Sequence, residues 1–114
     1  MIEARSGTIP ITITIASGYS AAKAGIIALT RTLAVKWAKE GIRVNVVVPG
    51  TIDTPMTAPM KGIPALIDSE VALIPLGRFG RVEEIAPTIA FLCTAHSSYT
   101  TGALFVVDGA SDCF

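Results

Sequence analysis

The segment Ile42–Val48 constrains the fold more than any other part of this sequence. It reads Ile-Arg-Val-Asn-Val-Val-Val, a nearly continuous run of β-branched residues that ends at Pro49-Gly50. A strand with one solvated face alternates apolar and polar residues, whereas a strand covered on both faces by helices is apolar almost throughout. The run therefore predicts a parallel strand in the middle of a sheet that has helices on both faces.

The segment Ser17–Glu40, which precedes this strand, has the pattern of one long helix. Its apolar residues recur at steps of three and four, and Ser17 and Ser20 are candidate N-caps. Gly41 can end the helix as the left-handed residue that follows its last turn. Apolar residues also lie on the opposite side of this pattern, which predicts a helix packed on two faces.

The rest of the chain alternates strands with helices, which is typical of an α/β layered fold with right-handed crossovers. The alternation in Ile9–Ile15 indicates a strand that Pro10 confines to a sheet edge or a strand start, with a mobile loop as the alternative. We expect Pro87 to disturb the helix that contains it. The other predicted elements are a loop at 50–62, a weak helix at Ile63–Leu73, a turn-rich link at Pro75–Arg81, a helix at Val82–Ala95 and a strand at Ala103–Val107.

Composition limits the classes of protein to which the chain can belong. Nine Lys and Arg residues balance nine Asp and Glu residues, and 51% of the 114 residues are hydrophobic. Such a chain is too apolar for intrinsic disorder, and its zero net charge argues against nucleic-acid or membrane partners. Its apolar runs are far shorter than the ~18 residues of a membrane span, and no secretory signal is recognisable. Two cysteines supply neither a disulfide scaffold nor a metal site, so we expect a cytoplasmic protein without a metal.

Tyr19 and Lys23 form the pair of residues best suited to chemistry. They are four residues apart at the start of the predicted helix, so they share one face about 6 Å apart along the axis. A free phenol titrates well above neutral pH, but a nearby ammonium group and the positive end of a helix dipole both lower its pKa. A pKa closer to the working pH improves general acid/base catalysis. The spacing alone is a weak motif, and its surroundings make it specific.

Five blocks of sequence follow one another in a characteristic order. They are Tyr-Ser-Ala-Ala-Lys-Ala-Gly from Tyr19, Leu-Thr-Arg-Thr-Leu-Ala, Gly-Ile-Arg-Val-Asn, Pro-Gly-Thr-Ile-Asp-Thr-Pro-Met and Thr-Gly-Ala-Leu-Phe-Val-Val-Asp-Gly. This order closely resembles the C-terminal half of the short-chain dehydrogenase/reductase family, from about Ser17 to Ala110. Within that family, the sequence most resembles the 3-oxoacyl-(acyl-carrier-protein) reductase-like members. The resemblance implies a fold that is the C-terminal half of a Rossmann-type doubly wound parallel sheet with three α/β/α layers. It also implies that residues 1–114 form one partial NAD(P)-binding domain.

The resemblance also implies roles for individual residues. Tyr19 matches the catalytic acid/base of the family, and Lys23 matches the lysine that lowers the phenol pKa and hydrogen-bonds the nicotinamide ribose. Pro49 and Gly50 match the turn beside the nicotinamide, where a glycine lets the backbone approach a flat ring closely. The carboxamide is expected to meet the backbone of Ile52. Thr54, which could also be an ordinary loop hydroxyl, is expected at the carboxamide or the pyrophosphate.

The catalytic serine of the family is the hardest residue to assign. Its usual position is about thirteen residues before the tyrosine, at the end of an apolar strand, and this spacing selects Ser6. Met1–Arg5 is not an apolar strand, so the serine could equally belong to sequence upstream of Met1. No Gly-rich phosphate-binding turn occurs in the sequence, and the determinants that separate NAD from NADP accompany that turn. We therefore expect a catalytic-half fragment and leave the cofactor as NAD or NADP.

Other residues are given structural roles or two alternatives. Asn45 is interpreted as structural, and Arg78 and Arg81 are expected to order the loop before the helix that begins at Val82. A group of apolar residues either forms the substrate lid of the family or packs against a neighbouring helix. This group consists of Met56, Met60, Ile63, Leu66 and Ile67.

The predicted function is hydride transfer between a nicotinamide and a small-molecule carbonyl or secondary alcohol, a 3-oxoacyl thioester being the first candidate by family frequency. The alternative is a truncated, non-catalytic remnant that acts as an association module. The resemblance further implies a homo-oligomer, a dimer or tetramer, in which the long helix packs against its counterpart. The apolar residues on both sides of that helix agree with this expectation.

Overall fold

The computed structural model describes residues 8–12, 19–55 and 57–113, with side-chain surroundings from residue 23 onward. Strands and helices alternate along these ranges, as the sequence predicts. The elements are β1 (Thr8–Thr12), α1 (Tyr19–Trp37), β2 (Arg43–Pro49), β3 (Ile52–Asp53), α2 (Pro64–Val71), β4 (Gly80–Arg81), α3 (Val82–Leu92) and β5 (Leu104–Val107).

The main sheet has the order β1-β2-β5, and all of its strands are parallel. Thr8 of β1 pairs with Arg43 of β2, and Pro49 at the other end of β2 pairs with Val107 of β5. The predicted central strand is confirmed, because β2 hydrogen-bonds on both sides and its residues 44–48 are buried. Pro10 lies in β1 at an edge of the described sheet, where a missing N–H is tolerated. Residues 13–15 of the predicted first strand lie outside the described residues.

Successive side chains of β2 point to opposite helices, which gives the predicted layers. Val44, Val46 and Val48 pack against α1, where Ile26 and Ile27 contact the last two of these valines. Val47 faces the other way and packs in a cluster with Ile85 and Leu92 of α3. Burial of this strand on both faces explains why its sequence is almost uniformly apolar.

The long helix is confirmed, with one correction at its start. α1 begins at Tyr19, so Ser20 lies inside the first turn and is not an N-cap, and Ser17 lies outside the described residues. After a short 3₁₀ turn, Gly41 adopts the left-handed conformation with φ 74°, as the end of the helix requires. Leu29 and Val35 are 51% and 80% exposed on the side away from the sheet. The predicted oligomer would cover this side, and it stays a prediction.

The C-terminal half of the fold keeps the predicted helices and last strand with shorter bounds, adds the short strands β3 and β4, and shows no break at Pro87. The predicted helix at Ile63–Leu73 is α2, and the last strand is one residue shorter than predicted. α3 continues through Pro87 and ends at Leu92, three residues before the predicted end. Pro87 removes one backbone hydrogen bond, and the burial of Ile85 and Leu92 on either side of it holds the helix against the sheet.

Asn45 is confirmed as a structural residue. Its side chain is 1% exposed inside β2, on the face that carries α3. The amide group donates to the carbonyl of Thr100 (3.0 Å) and accepts from the N–H of Ala103 (3.0 Å). These two bonds fix the turn that leads into β5, and they satisfy a polar group that would otherwise be costly to bury.

Candidate active site

The Pro49-Gly50 turn lies where β2 leaves the sheet at its carboxyl edge. The N–H of Gly50 donates to the carbonyl of Val107 (2.9 Å), so the turn is tied to the end of β5. A Cβ on Gly50 would lie 2.7 Å from both the Cα and the Cβ of Asp108. The glycine is therefore required by the close approach of Asp108, whereas the sequence argument attributed it to the approach of a ligand ring.

The loop after Gly50 is held by a residue that the sequence analysis missed. The hydroxyl of Thr57 accepts the N–H of Thr54 (2.9 Å) and donates to the carbonyl of Ile52 (3.0 Å) or of Thr54 (2.9 Å). Ile52 also belongs to β3, which pairs in parallel with β4 at Gly80. Ile52 and Thr54 are thus fixed on a braced loop. The Thr-x-x-Thr spacing is a signal for such a local bond.

A cavity of about 560 Å³ lies beside this loop. The structure brings together in its wall four of the residues predicted to bind the cofactor. These residues are Pro49, Gly50, Ile52 and Thr54. Most of the remaining lining consists of Met60 of the predicted lid, Glu70 of α2, and Val82 and Ile85 of α3. The cavity is thus mainly apolar, and Glu70 is the one charged group among the described residues that line it.

Lys23 lies on α1, one turn after Tyr19, and is connected to the same edge of the sheet. Its side chain is 15% exposed, and its ammonium group forms an ion pair with the carboxylate of Asp112. The N–H of Asp112 donates to the carboxylate of Asp108 (3.0 Å), and Asp108 is the residue that contacts Gly50. Lys23 is therefore joined to the Pro-Gly turn through two acidic residues that the sequence analysis did not select.

Arg78 has the predicted structural role. Its guanidinium group forms two hydrogen bonds to the carboxylate of Glu84 (2.8 and 2.9 Å), and the same carboxylate accepts the N–H of Arg81 (3.0 Å). This last bond caps the start of α3, because Arg81 is the residue that precedes the first turn of the helix. The link after α2 is therefore fastened to the first turn of α3, which lines the cavity.

This ion pair gives a prediction for acid stability. The hydrogen bonds from Arg78 and from the backbone of Arg81 lower the pKa of Glu84 from 4.5 to about 2. A carboxyl whose pKa is lower in the folded state stabilises the fold above pH 4.5, and this contribution is lost as the pH falls toward 2. We expect Glu84→Gln to lower the urea midpoint at pH 7, with a difference from wild type that narrows steadily below pH 4.5. A difference that stays constant down to pH 2.5 would contradict the prediction.

Some of the predicted site residues fall outside the description. Ser6 and Met56 lie outside the described residues, and for Tyr19 the structure gives the backbone position at the start of α1.

Within residues 8–12, 19–55 and 57–113, no group of three or more His, Cys, Asp or Glu residues could hold a metal ion. No helix in these ranges is long and apolar enough to span a membrane.

A parallel α/β sheet with a ligand-sized cavity at its carboxyl edge is typical of Rossmann-like proteins. A family model described as enoyl-(acyl carrier protein) reductase matches residues 6–110. Together with the dehydrogenases and reductases among its relatives, this match establishes that the chain belongs to the short-chain dehydrogenase/reductase family.

Two curated relatives illustrate the similarity. The chain is 50% identical over 94 residues to the cis-4-hydroxycyclohexanecarboxylate dehydrogenase of Sinomonas cyclohexanicum, covering 82% of this chain and 36% of the relative. It is 45% identical over 93 residues to a 3-oxoacyl-(acyl-carrier-protein) reductase of Thermotoga maritima, covering 82% of this chain and 37% of that protein. The chain therefore spans a little over a third of the length of these relatives.

Solved structures agree with this assignment. A putative 2-deoxy-D-gluconate 3-dehydrogenase from Agrobacterium tumefaciens, solved with bound NADP, is 34% identical and superposes with a TM-score of 0.85. The comparison covers 99% of this chain and 50% of that chain. The fold described above thus corresponds to about half of a Rossmann-like dehydrogenase.

Proposed function

We propose that this chain forms the catalytic part of an NAD(P)-dependent oxidoreductase that interconverts a small-molecule ketone and a secondary alcohol. The observation that carries the proposal is the cavity at the carboxyl edge, because its wall contains Pro49, Gly50, Ile52 and Thr54. Open α/β sheets bind their ligands at this edge. The relatives are dehydrogenases and reductases, which favours this function over a non-catalytic association module.

The residues around the cavity suit a nicotinamide cofactor. Ligand cavities commonly have volumes of roughly 300–1,000 Å³ with mostly apolar walls and a few polar groups. Here Ile52, Met60 and Ile85 offer apolar contacts for a flat ring. Thr51 and Thr54 are polar residues of the same wall. When bound, NAD or NADP would supply or accept the hydride. The dehydrogenase from Agrobacterium tumefaciens, whose structure contains NADP, supports this choice.

Tyr19 is proposed to move the proton of the reaction. Its phenol would donate a proton to the carbonyl oxygen during reduction and accept one from the alcohol during oxidation. Tyr19 is the first residue of α1, so the positive end of the helix dipole lies beside it. Lys23, one turn further along, would stabilise the phenolate and thereby lower the pKa of the phenol. Lys23 would also donate a hydrogen bond to the nicotinamide ribose.

The assignment of Ser6 as the hydroxyl that donates to the substrate oxygen depends only on its spacing before Tyr19. The family uses a hydroxyl at this point to donate a hydrogen bond to the substrate oxygen. β1 begins at Thr8 opposite Arg43 and runs toward the edge that contains Pro49. The direction of β1 therefore gives the assignment of Ser6 no support.

The proposed substrate is a ketone or the matching secondary alcohol. A 3-oxoacyl thioester is one candidate, and the relative from Thermotoga maritima supports it by its name. A cyclic alcohol is another, because the relative from Sinomonas cyclohexanicum is named for one. Hydride transfer to either substrate uses the same phenol and the same cavity.

Titration of the cofactor tests the proposal directly. NADPH and NADH are added to the protein, and the increase of nicotinamide fluorescence on transfer to an apolar cavity is recorded. We expect at least one of them to bind with a submillimolar Kd, and we expect Lys23→Met to weaken that binding. Failure of both cofactors to bind at millimolar concentration would contradict the proposed function.

A further inference from the structure

The ion pair between Lys23 and Asp112 joins parts of the chain that are 89 residues apart. The side chain of Lys23 is 15% exposed, so most of its length is covered by neighbouring residues, and its bond to Asp112 lies at the surface. The charged end of such a side chain is stabilised by an opposite charge nearby. The carboxylate of Asp112, which is 49% exposed, supplies that opposite charge at the surface of the site.

Asp112 is held in place by the turn that contains it. The two carboxylate oxygens of Asp108 accept the N–H groups of Ala110 (2.9 Å) and Asp112 (3.0 Å). The N–H of Ser111 donates to the carbonyl of Asp108 (3.2 Å), which closes the turn further. Ala110 has φ 71°, a conformation that is unfavourable for a residue with a Cβ. These contacts keep the strained turn in one conformation and so restrict the position of Asp112.

The same turn is fastened to two other parts of the site. Asp108 contacts Gly50, as described above, so the turn packs directly against the Pro-Gly turn. The carbonyl of Gly109 accepts the N–H of Leu76 (3.2 Å), and a Cβ on Gly109 would lie 2.9 Å from the side chain of Ile74. The turn 108–112 therefore touches α1, the edge of the sheet and the link that follows α2.

We propose that Asp112 is a positioning residue that fixes the ammonium group of Lys23 for the cofactor ribose before the cofactor binds. This inference rests on the proposed function, because it assigns Lys23 to the ribose. A lysine side chain has many rotamers, and restricting them beforehand lowers the entropy that binding must overcome. The ammonium group has three donors, and the bond to Asp112 uses one of them.

A double-mutant cycle on cofactor affinity tests whether Asp112 acts through Lys23. The Kd for NADPH or NADH, whichever binds more tightly, is measured for wild type, Asp112→Asn, Lys23→Met and the double variant. We expect Asp112→Asn to raise the Kd about five-fold in the wild-type background and to have no effect when residue 23 is Met. An equal effect in both backgrounds, no effect in either, or tighter binding by Asp112→Asn would overturn the proposal.

Asp68→Asn is the matched control, because it makes the same change of charge at an exposed position on α2. It is expected to leave the Kd unchanged. Urea unfolding of the wild type and the three variants of the cycle is a readout that needs no cofactor. We expect Asp112→Asn to lower the urea midpoint only when Lys23 is present, and equal shifts in both backgrounds would overturn the proposal. If the wild type binds neither cofactor, the proposed function fails. If the two substitutions are coupled in urea unfolding but not in the cofactor Kd, the Lys23–Asp112 pair is purely structural and the positioning role is overturned.

Discussion

Replacement of Tyr19 with Phe is expected to lower turnover at least about 100-fold, because the reaction loses its general acid/base. The substitution removes one hydroxyl group and keeps the ring, so the Kd for the cofactor should change little. Steady-state consumption of NADPH or NADH with a ketone substrate measures the first effect, and fluorescence titration measures the second. Turnover and the cofactor Kd are both measured on the full-length gene product.

Tyr99 provides the control for this substitution. It is the only other tyrosine of the chain, and its side chain is fully exposed between α3 and β5. Tyr99→Phe removes the same hydroxyl and should leave turnover within a factor of about two of wild type. Turnover by Tyr19→Phe that is close to that of Tyr99→Phe would remove Tyr19 from the mechanism.

Gly50→Ala is expected to destabilise the fold by about 3 kcal/mol and to abolish cofactor binding. The new Cβ would lie 2.7 Å from the Cα of Asp108, so backbone and not a flexible side chain would have to move. Such a movement would disturb the turn that holds Asp112 and, through it, Lys23. Urea unfolding measures the stability, and cofactor titration below the unfolding transition measures the binding.

Gly62→Ala is the matched control, because a Cβ on Gly62 would meet no atom within 4 Å. It should change stability by no more than roughly 0.5 kcal/mol and leave the cofactor Kd unaltered. If Gly50→Ala were as stable as Gly62→Ala, the close approach of Asp108 would not be the reason for the glycine.

The sequence predicted the helices and the strands of the main sheet because their signals are local, whereas the two-residue strands β3 and β4 were not predicted. The β-branched run at Ile42–Val48 identified the buried strand, and Gly41 identified the end of α1. Both signals depend on neighbours within a few residues in the chain. The burial of β2 on both faces also followed, since an almost uniformly apolar strand is stable only between two layers.

The contacts that organise the site could not be predicted in this way. Asp112 and Lys23 are 89 residues apart, and their meeting depends on the register of three strands and on the turn after β5. Asp108 was visible in the sequence only as the end of a strand, although its carboxylate holds the turn. The reason for Gly50 was likewise tertiary. Local patterns identify such residues as turn formers and do not identify their distant partners.

The transfer of deuterium from the cofactor tests the central claim most directly. The protein is incubated with NADPH or NADH carrying deuterium at both positions of nicotinamide C4, together with a 3-oxoacyl thioester or a cyclic ketone. The account predicts an alcohol product with one deuterium on the carbinol carbon, formed by wild type and Tyr99→Phe and at least about 100-fold more slowly by Tyr19→Phe. Reduction without deuterium on that carbon, or equal rates for the two tyrosine variants, would contradict it.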